Sequence, residues 1–207
     1  MLSLIAISPA PSRAASDVDA GALVAAMKRE VPARTAYAEV RFSSLLERPL
    51  ILHGELEYLG PGKLAKTVER PYKERTRVEN GEASVQRGDK PARTFSLSQA
   101  PELEGFLRGF AALLGGDAQA LERDFDLAAT GTREAWRMTL TPRDDRLKRR
   151  MRAIEVEGAG ASTRCFTTRE ADGDVNVLLV ESLADAKLPN RPTPPMIDAL
   201  CRGLLAR

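Results

Sequence analysis

The chain has 207 residues, of which 43% are hydrophobic and 29% charged, with a formal net charge of +2. Those values fit one globular domain that can bury about 70% of its unfolded surface on folding. The near-balance of charge and the 5% aromatic content give no basis for nucleic-acid binding, which wants a basic surface or rings on which bases stack.

Taken in order, Leu2 to Ile7 is apolar, and Pro9 to Ser16 is rich in Pro, Ala and Ser. A secretory signal needs a basic start and about 7–15 apolar residues ahead of its cleavage site. This segment lacks the basic start, and its apolar run is short. Residues 1–18 read as the tail of an export signal that starts upstream, or as a disordered cytoplasmic leader, with a single domain over 19–207. No later run reaches the roughly 20 apolar residues needed to span a bilayer. From Asp19 to Val31 the spacing predicts a helix. Leu23, Met27 and Val31 lie four apart, Ala26 shares their face, Asp19 is the N-cap, and Pro32 ends the element. Such a stripe reads as core packing.

From Ala36 to Val85 apolar residues fall on alternate positions, the period of strands with one apolar face. Ala38, Val40 and Phe42 share a face of the first strand, and Leu50, Leu52, Leu56 and Tyr58 share a face of the second. The opposite faces carry Glu39, Arg41, His53, Glu55 and Glu57 and are expected to meet water. Gly60-Pro61-Gly62 marks a hairpin turn. Lys73, Arg75 and Arg77 alternate as a solvated basic face, and Gly88 to Pro91 is a further turn. The expectation is an antiparallel meander with a single buried face.

Between Pro101 and Leu114 the period lengthens. Leu103, Phe106, Leu107, Phe110, Leu113 and Leu114 recur at helical spacing, and Gly115-Gly116 stops the helix. Gly105 and Gly109 lie inside it, each costing roughly 1 kcal/mol against Ala. A static core helix and a movable cover both fit this pattern. Strands resume at Phe125 to Ala129 and Trp136 to Leu140, and Ile154 and Val156 mark another. The charged stretch from Pro142 to Arg152, with Lys148, Arg149, Arg150 and Arg152, reads as a solvated hairpin or a docking patch. Cys165 to Thr168 and Val175 to Val180 form a hairpin through Asp172-Gly173. A Pro-rich link then leads to a short amphipathic helix with Met196, Leu200, Cys201 and Leu204.

The traces of catalysis are missing. His53 is the one histidine, Cys165 and Cys201 do not make a metal-ligand spacing, and no nucleophile elbow, phosphate loop or dinucleotide glycine pattern occurs. The expectation is therefore a protein that is not an enzyme and uses neither metal nor cofactor. Two cysteines in an exported chain make a Cys165–Cys201 disulfide reasonable, with two buried free thiols as the alternative.

The spacing F-(x)11-G-x-L-x-Y-(x)2-P-G from Phe42 to Gly62, the later Arg70-Pro71, the V-x-N-G turn at Val78 to Gly81, and W-R-M-T-L-T-P from Trp136 to Pro142 come in a fixed order. Together, over roughly Leu23 to Val180, they resemble the periplasmic outer-membrane lipoprotein carriers, the LolA-like family. The resemblance implies an α+β fold, a curved antiparallel half-barrel wrapped around covering helices. It also implies a hydrophobic cavity for acyl chains, with the helix from Pro101 to Leu114 as lid. Residues expected in that cavity are Val40, Phe42, Leu52, Leu56, Tyr58, Leu103, Phe106, Leu107, Phe110, Trp136 and Met138. Implied partners are a lipidated protein or lipid cargo, an inner-membrane ABC exporter as donor and an outer-membrane acceptor, with the carrier a periplasmic monomer. Gly60 stands where the family has an Arg tied to lid closure and cargo release, and the C-terminal link and helix depart from the family's usual ending. These departures point to a divergent member, and leave open a lipid-like pigment intermediate as cargo or a periplasmic protein-interaction module.

Overall fold

The alternating segments fold as strands, and the computed structural model, which describes residues 18–204, extends the pattern through the second half of the chain. The strands are Ala33–Phe42 (β1), Leu50–Gly60 (β2), Lys63–Arg70 (β3), Glu74–Glu79 (β4), Glu82–Arg87 (β5), Arg93–Ser96 (β6), Phe125–Thr132 (β7), Ala135–Pro142 (β8), Met151–Ala159 (β9), Ser162–Glu170 (β10) and Val175–Val180 (β11). All eleven join one antiparallel open sheet in the order β6-β5-β4-β3-β2-β1-β11-β10-β9-β8-β7. Each half is a meander, and β11 closes the join by pairing with β1, Tyr37 opposite Val180 and Phe42 opposite Val175. Asn80 and Gly81, at φ 53° and 76°, make the two-residue turn between β4 and β5, a backbone hand that matches strand twist. The export-signal reading of residues 1–18 falls almost wholly on residues outside those described.

Five helices accompany the sheet among the described residues: Ala20–Ala26 (α1), Pro101–Gly115 (α2), Ala118–Asp124 (α3), Asp145–Lys148 (α4) and Pro194–Cys201 (α5). Asp19 caps α1, its Oδ1 accepting from the Ala22 N–H at 2.8 Å. The helix ends at Met27, well short of Val31, because the chain turns so that the Arg29 N–H can donate to the Leu114 carbonyl at 2.9 Å. The short α3, capped by Asp117, has no counterpart in the sequence expectation: seven residues hold too few turns to show a period. The charged stretch after Pro142 contains α4 and the start of β9.

Register fixes which residues share a face, since directly opposed residues in an antiparallel ladder point the same way. Leu52 lies opposite Glu39, and Leu56 opposite Thr35. Glu39 continues to Leu178, Phe166, Val156 and Met138 across the following strands. Leu52, Met138 and Trp136 on this face pack with Leu23 and Val24 of α1, its C-cap Met27 and Leu121 of α3 in the main core.

Two expectations are corrected here. Val40 pairs with Ile51, not Leu52, so Ala38, Val40 and Phe42 face the other side of the sheet. There they pack with Val177, Leu179, Leu183 and Ile197 beneath α5. Glu39 and Arg41, expected in water, lie on the face that carries the main core. The sheet is covered on both faces at its centre, so it does not have a single buried face. Alternation shows that a strand's faces differ, but it decides which is inside only when one face is wet.

Helix α5 is fixed to its face by two devices. Cys165 of β10 and Cys201 form a disulfide with Cα atoms 5.7 Å apart. Arg137 of β8 donates to Glu157 at 2.6 Å and to Asp198 of α5 at 2.7 Å. Burial raises the Glu157 carboxyl despite Arg137 beside it.

Candidate functional site

Between α2 and the sheet lies a cavity of about 320 Å³, within the range of small-molecule sites. The sheet contributes Leu56 and Tyr58 from β2, Leu64 from β3, Val78 from β4, Phe166 from β10, and Leu178 and Val180 from β11. Phe106, Leu107, Phe110 and Leu114 of α2, Met27 beside α1 and Ile154 of β9 add to the apolar lining. The i, i+4 spacing puts Phe106 and Phe110 on one side of the helix. Their rings stack with centroids 6.3 Å apart, and Phe110 meets Phe166 edge-on at 5.4 Å and 65°.

Another side of α2 explains its glycines. A Cβ on Gly109 would lie 2.3 Å from the ring of Phe125, a residue with no exposure. Gly109 therefore allows close approach of helix to strand. Gly105 is looser, its nearest outside neighbour being Leu147 Cδ2 at 3.8 Å. Arg108 pairs with Asp124 of α3 at 2.8 Å. At the end of the helix, Gly116 is a left-handed cap at φ 70° pressed against Lys28.

The residues expected in the cavity separate into four groups. Leu56, Tyr58, Phe106, Leu107 and Phe110 line it. Leu52, Trp136 and Met138 share the cavity's face but are buried in the packed core beside it, the Trp136 indole donating to the Gly160 carbonyl at 3.0 Å. Leu103 packs at the edge with Tyr58, Leu64 and Val78. Val40 and Phe42 lie on the opposite face.

Phe166 and Leu178 were missed, although each sits in a strand hairpin that the sequence does reveal. A polar group was missed as well: Glu39, Lys66, Thr35, Thr76, Thr168 and Asn176 also line the cavity. Glu39 is only 6% exposed. Its carboxylate accepts from Arg41 Nε at 2.9 Å and from the Lys66 ammonium. Burial pushes Glu39 up, but Lys66 and Arg41 outweigh it and hold the carboxyl below its ordinary range. Lys66 also lies over the Tyr37 ring, 5.1 Å from its centroid. Burial raises the Tyr37 phenol, which stays protonated and donates to the Thr67 carbonyl at 3.3 Å. At the rim, Arg29 pairs with Glu181 at 2.6 Å, and Arg34 with Glu57 at 3.6 Å.

Elsewhere, burial and then Arg70 lower the pKa of His53. Among the described residues no group of three or more His, Cys, Asp or Glu side chains is placed to hold a metal ion.

The profile of a family described as outer membrane lipoprotein carrier protein LolA-like matches residues 12–203. The chain belongs to this LolA-like family. Its motifs from Phe42 to Gly62 and from Trp136 to Pro142 fall on the end of β1, β2 and the turn before β3, and on β8, among the strands that frame the cavity and its adjoining core. Among solved structures, the chain is similar to a LolA superfamily protein from Nitrosomonas europaea, with 13% identity over 84% of this chain and 96% of that one and a TM-score of 0.43. No curated protein matches. No described helix is long and apolar enough to cross a membrane.

Proposed function

We propose that the protein is a periplasmic carrier that holds the acyl chains of a lipoprotein, or of another lipidated molecule, in the cavity beneath α2 and ferries them toward the outer membrane. The observation that carries this reading is a mostly apolar cavity whose roof is the Phe106–Phe110 face of one helix. Each CH2 of a buried acyl chain contributes about 0.8 kcal/mol, so such a cavity retains a chain without specific polar contacts. Membership of the LolA-like family supports the same reading, with the open sheet as a half-barrel and α2 as its lid. The disulfide fits an oxidising compartment. No chemistry is assigned to the protein. Its partners would be a donor that delivers cargo at the inner membrane, an ABC exporter in this family, and an acceptor at the outer membrane.

The test is uptake of a fluorescent fatty acid. The protein should bind it saturably at one site, and engineered cysteines that crosslink α2 to the sheet should block exchange. Exchange at the normal rate in the crosslinked form would remove α2 as the lid. No saturable uptake by the uncrosslinked protein would remove the carrier reading.

A further inference from the structure

The polar side of the cavity has an organisation that a hydrocarbon cargo alone does not call for. Glu39 of β1 and Lys66 of β3 lie on the same sheet face, separated by β2, and the ammonium reaches across to the carboxylate. Arg41, two residues along β1 on the same face, grips the same carboxylate at 2.9 Å. One buried carboxylate thus serves two cations. Glu170, outside the cavity lining, accepts from Asn176 Nδ2 at 2.7 Å and is raised by burial and Asp172 despite Arg41 nearby. The rim acids Glu181 and Glu57 are taken by Arg29, Arg34 and Arg75.

Lys66 lines the cavity with its side chain 29% exposed. An ammonium has three N–H donors, and Glu39 is the acceptor it meets. Thr76, directly opposite Lys66 in the ladder, and Thr168, opposite Asn176, add a hydroxyl each to the lining. A partly desolvated cation beside an apolar cavity is costly unless a counter-charge reaches it. Glu39 supplies that counter-charge in the empty cavity but shares it with Arg41, so Lys66 keeps N–H donors that an entering anion can take.

Resting on the acyl-cavity reading, we propose that the cargo is an acyl chain bearing an anionic head, a carboxylate or a phosphate. Its tail lies against Phe106, Phe110 and Phe166, and its head meets Lys66. Lys66 is then the residue that separates acidic amphiphiles from neutral ones of equal chain length. Glu39 is a positioning residue that holds the ammonium in place when the cavity is empty.

The experiment is displacement of a neutral naphthylamine probe from the full chain by hexadecanoate, hexadecyl phosphate and methyl hexadecanoate. Wild type should bind at least one of the two acids about tenfold or more tightly than the ester, the fold-change of one charge-assisted hydrogen bond. Which acid wins separates a free fatty acid from a phosphorylated lipid. Lys66→Met should reduce the preference to within about twofold, and Lys66→Arg should retain it. The wild-type comparison needs no variant, so misfolding of Lys66→Met does not spare the proposal. If the ester binds as tightly as both acids, the anionic head is wrong while the acyl cavity stands, and if Lys66→Met keeps the preference, Lys66 is not the residue that reads the head. If none of the three displaces the probe, both readings fall.

Discussion

Gly105 and Gly109, one turn apart in α2, should respond to alanine with opposite signs. Both substitutions gain the same helix propensity, about 1 kcal/mol. At Gly105 the new methyl meets Leu147 at an ordinary 3.8 Å, so the gain is kept. At Gly109 it would lie 2.3 Å from Phe125 Cε2, where ordinary contact begins near 3.4 Å. Phe125 is fully buried in the main core, so its ring has nowhere to go, and overpacking of this kind costs about 1–3 kcal/mol. Because propensity cancels between the two variants, their difference isolates the clash at about 1–3 kcal/mol. Urea unfolding reads it directly: with a slope of about 2 kcal/mol/M, the midpoint of Gly105→Ala should exceed that of Gly109→Ala by about 0.5–1.5 M. If both variants gain stability equally, α2 does not seat on Phe125, and the glycines only soften the helix.

Three further outcomes follow from the same geometry. Phe110→Ala should cost less than the roughly 3–5 kcal/mol of a core Phe, because Phe110 is only partly buried, yet should clearly weaken fatty-acid binding; a full core-sized loss in urea unfolding would make α2 a static core helix. Unreduced, denatured protein should show no free thiol, and Cys165→Ala with Cys201→Ala should lose roughly 3–4 kcal/mol in the chain-entropy model, for a separation of 36 residues; two titratable thiols would contradict this. Glu39 has a folded-state pKa below its unfolded value, so its contribution is full above the unfolded pKa of about 4.3 and lost as pH falls through the lower folded value. Glu39→Gln should therefore show a shallower loss of stability on acidification, read as urea midpoint against pH, and an unchanged acid limb would deny the Lys66 and Arg41 contacts.

The strands were legible because period-two alternation follows from backbone geometry alone. Leu56 and Tyr58 could be placed on the cavity's face since their strand carries Leu50 and Leu52 on that side and His53, Glu55 and Glu57 on the other. The same logic failed for Val40 and Phe42. At β1 the apolar phase serves the α5 face, while the cavity phase holds Thr35, Tyr37, Glu39 and Arg41 and resembles a water face. Register against β2, and pairing with β11 well over a hundred residues away in sequence, decide between them. The Lys66–Glu39 pair was invisible for the same reason, since it spans β2 and has no local spacing to betray it. In α2 the Phe face was legible from its period. Gly109 was read as weakening, because a glycine's neighbour across space leaves no mark on the adjacent sequence.

The central claim is that the cavity holds an acyl chain, and native mass spectrometry of protein purified without detergent tests it most directly. The protein should carry, or take up on addition of hexadecanoate, one equivalent of an acyl-chain molecule, and Phe110→Ala should retain markedly less. A spectrum of bare chain only, unchanged across saturating hexadecanoate for both wild type and variant, would contradict the carrier account.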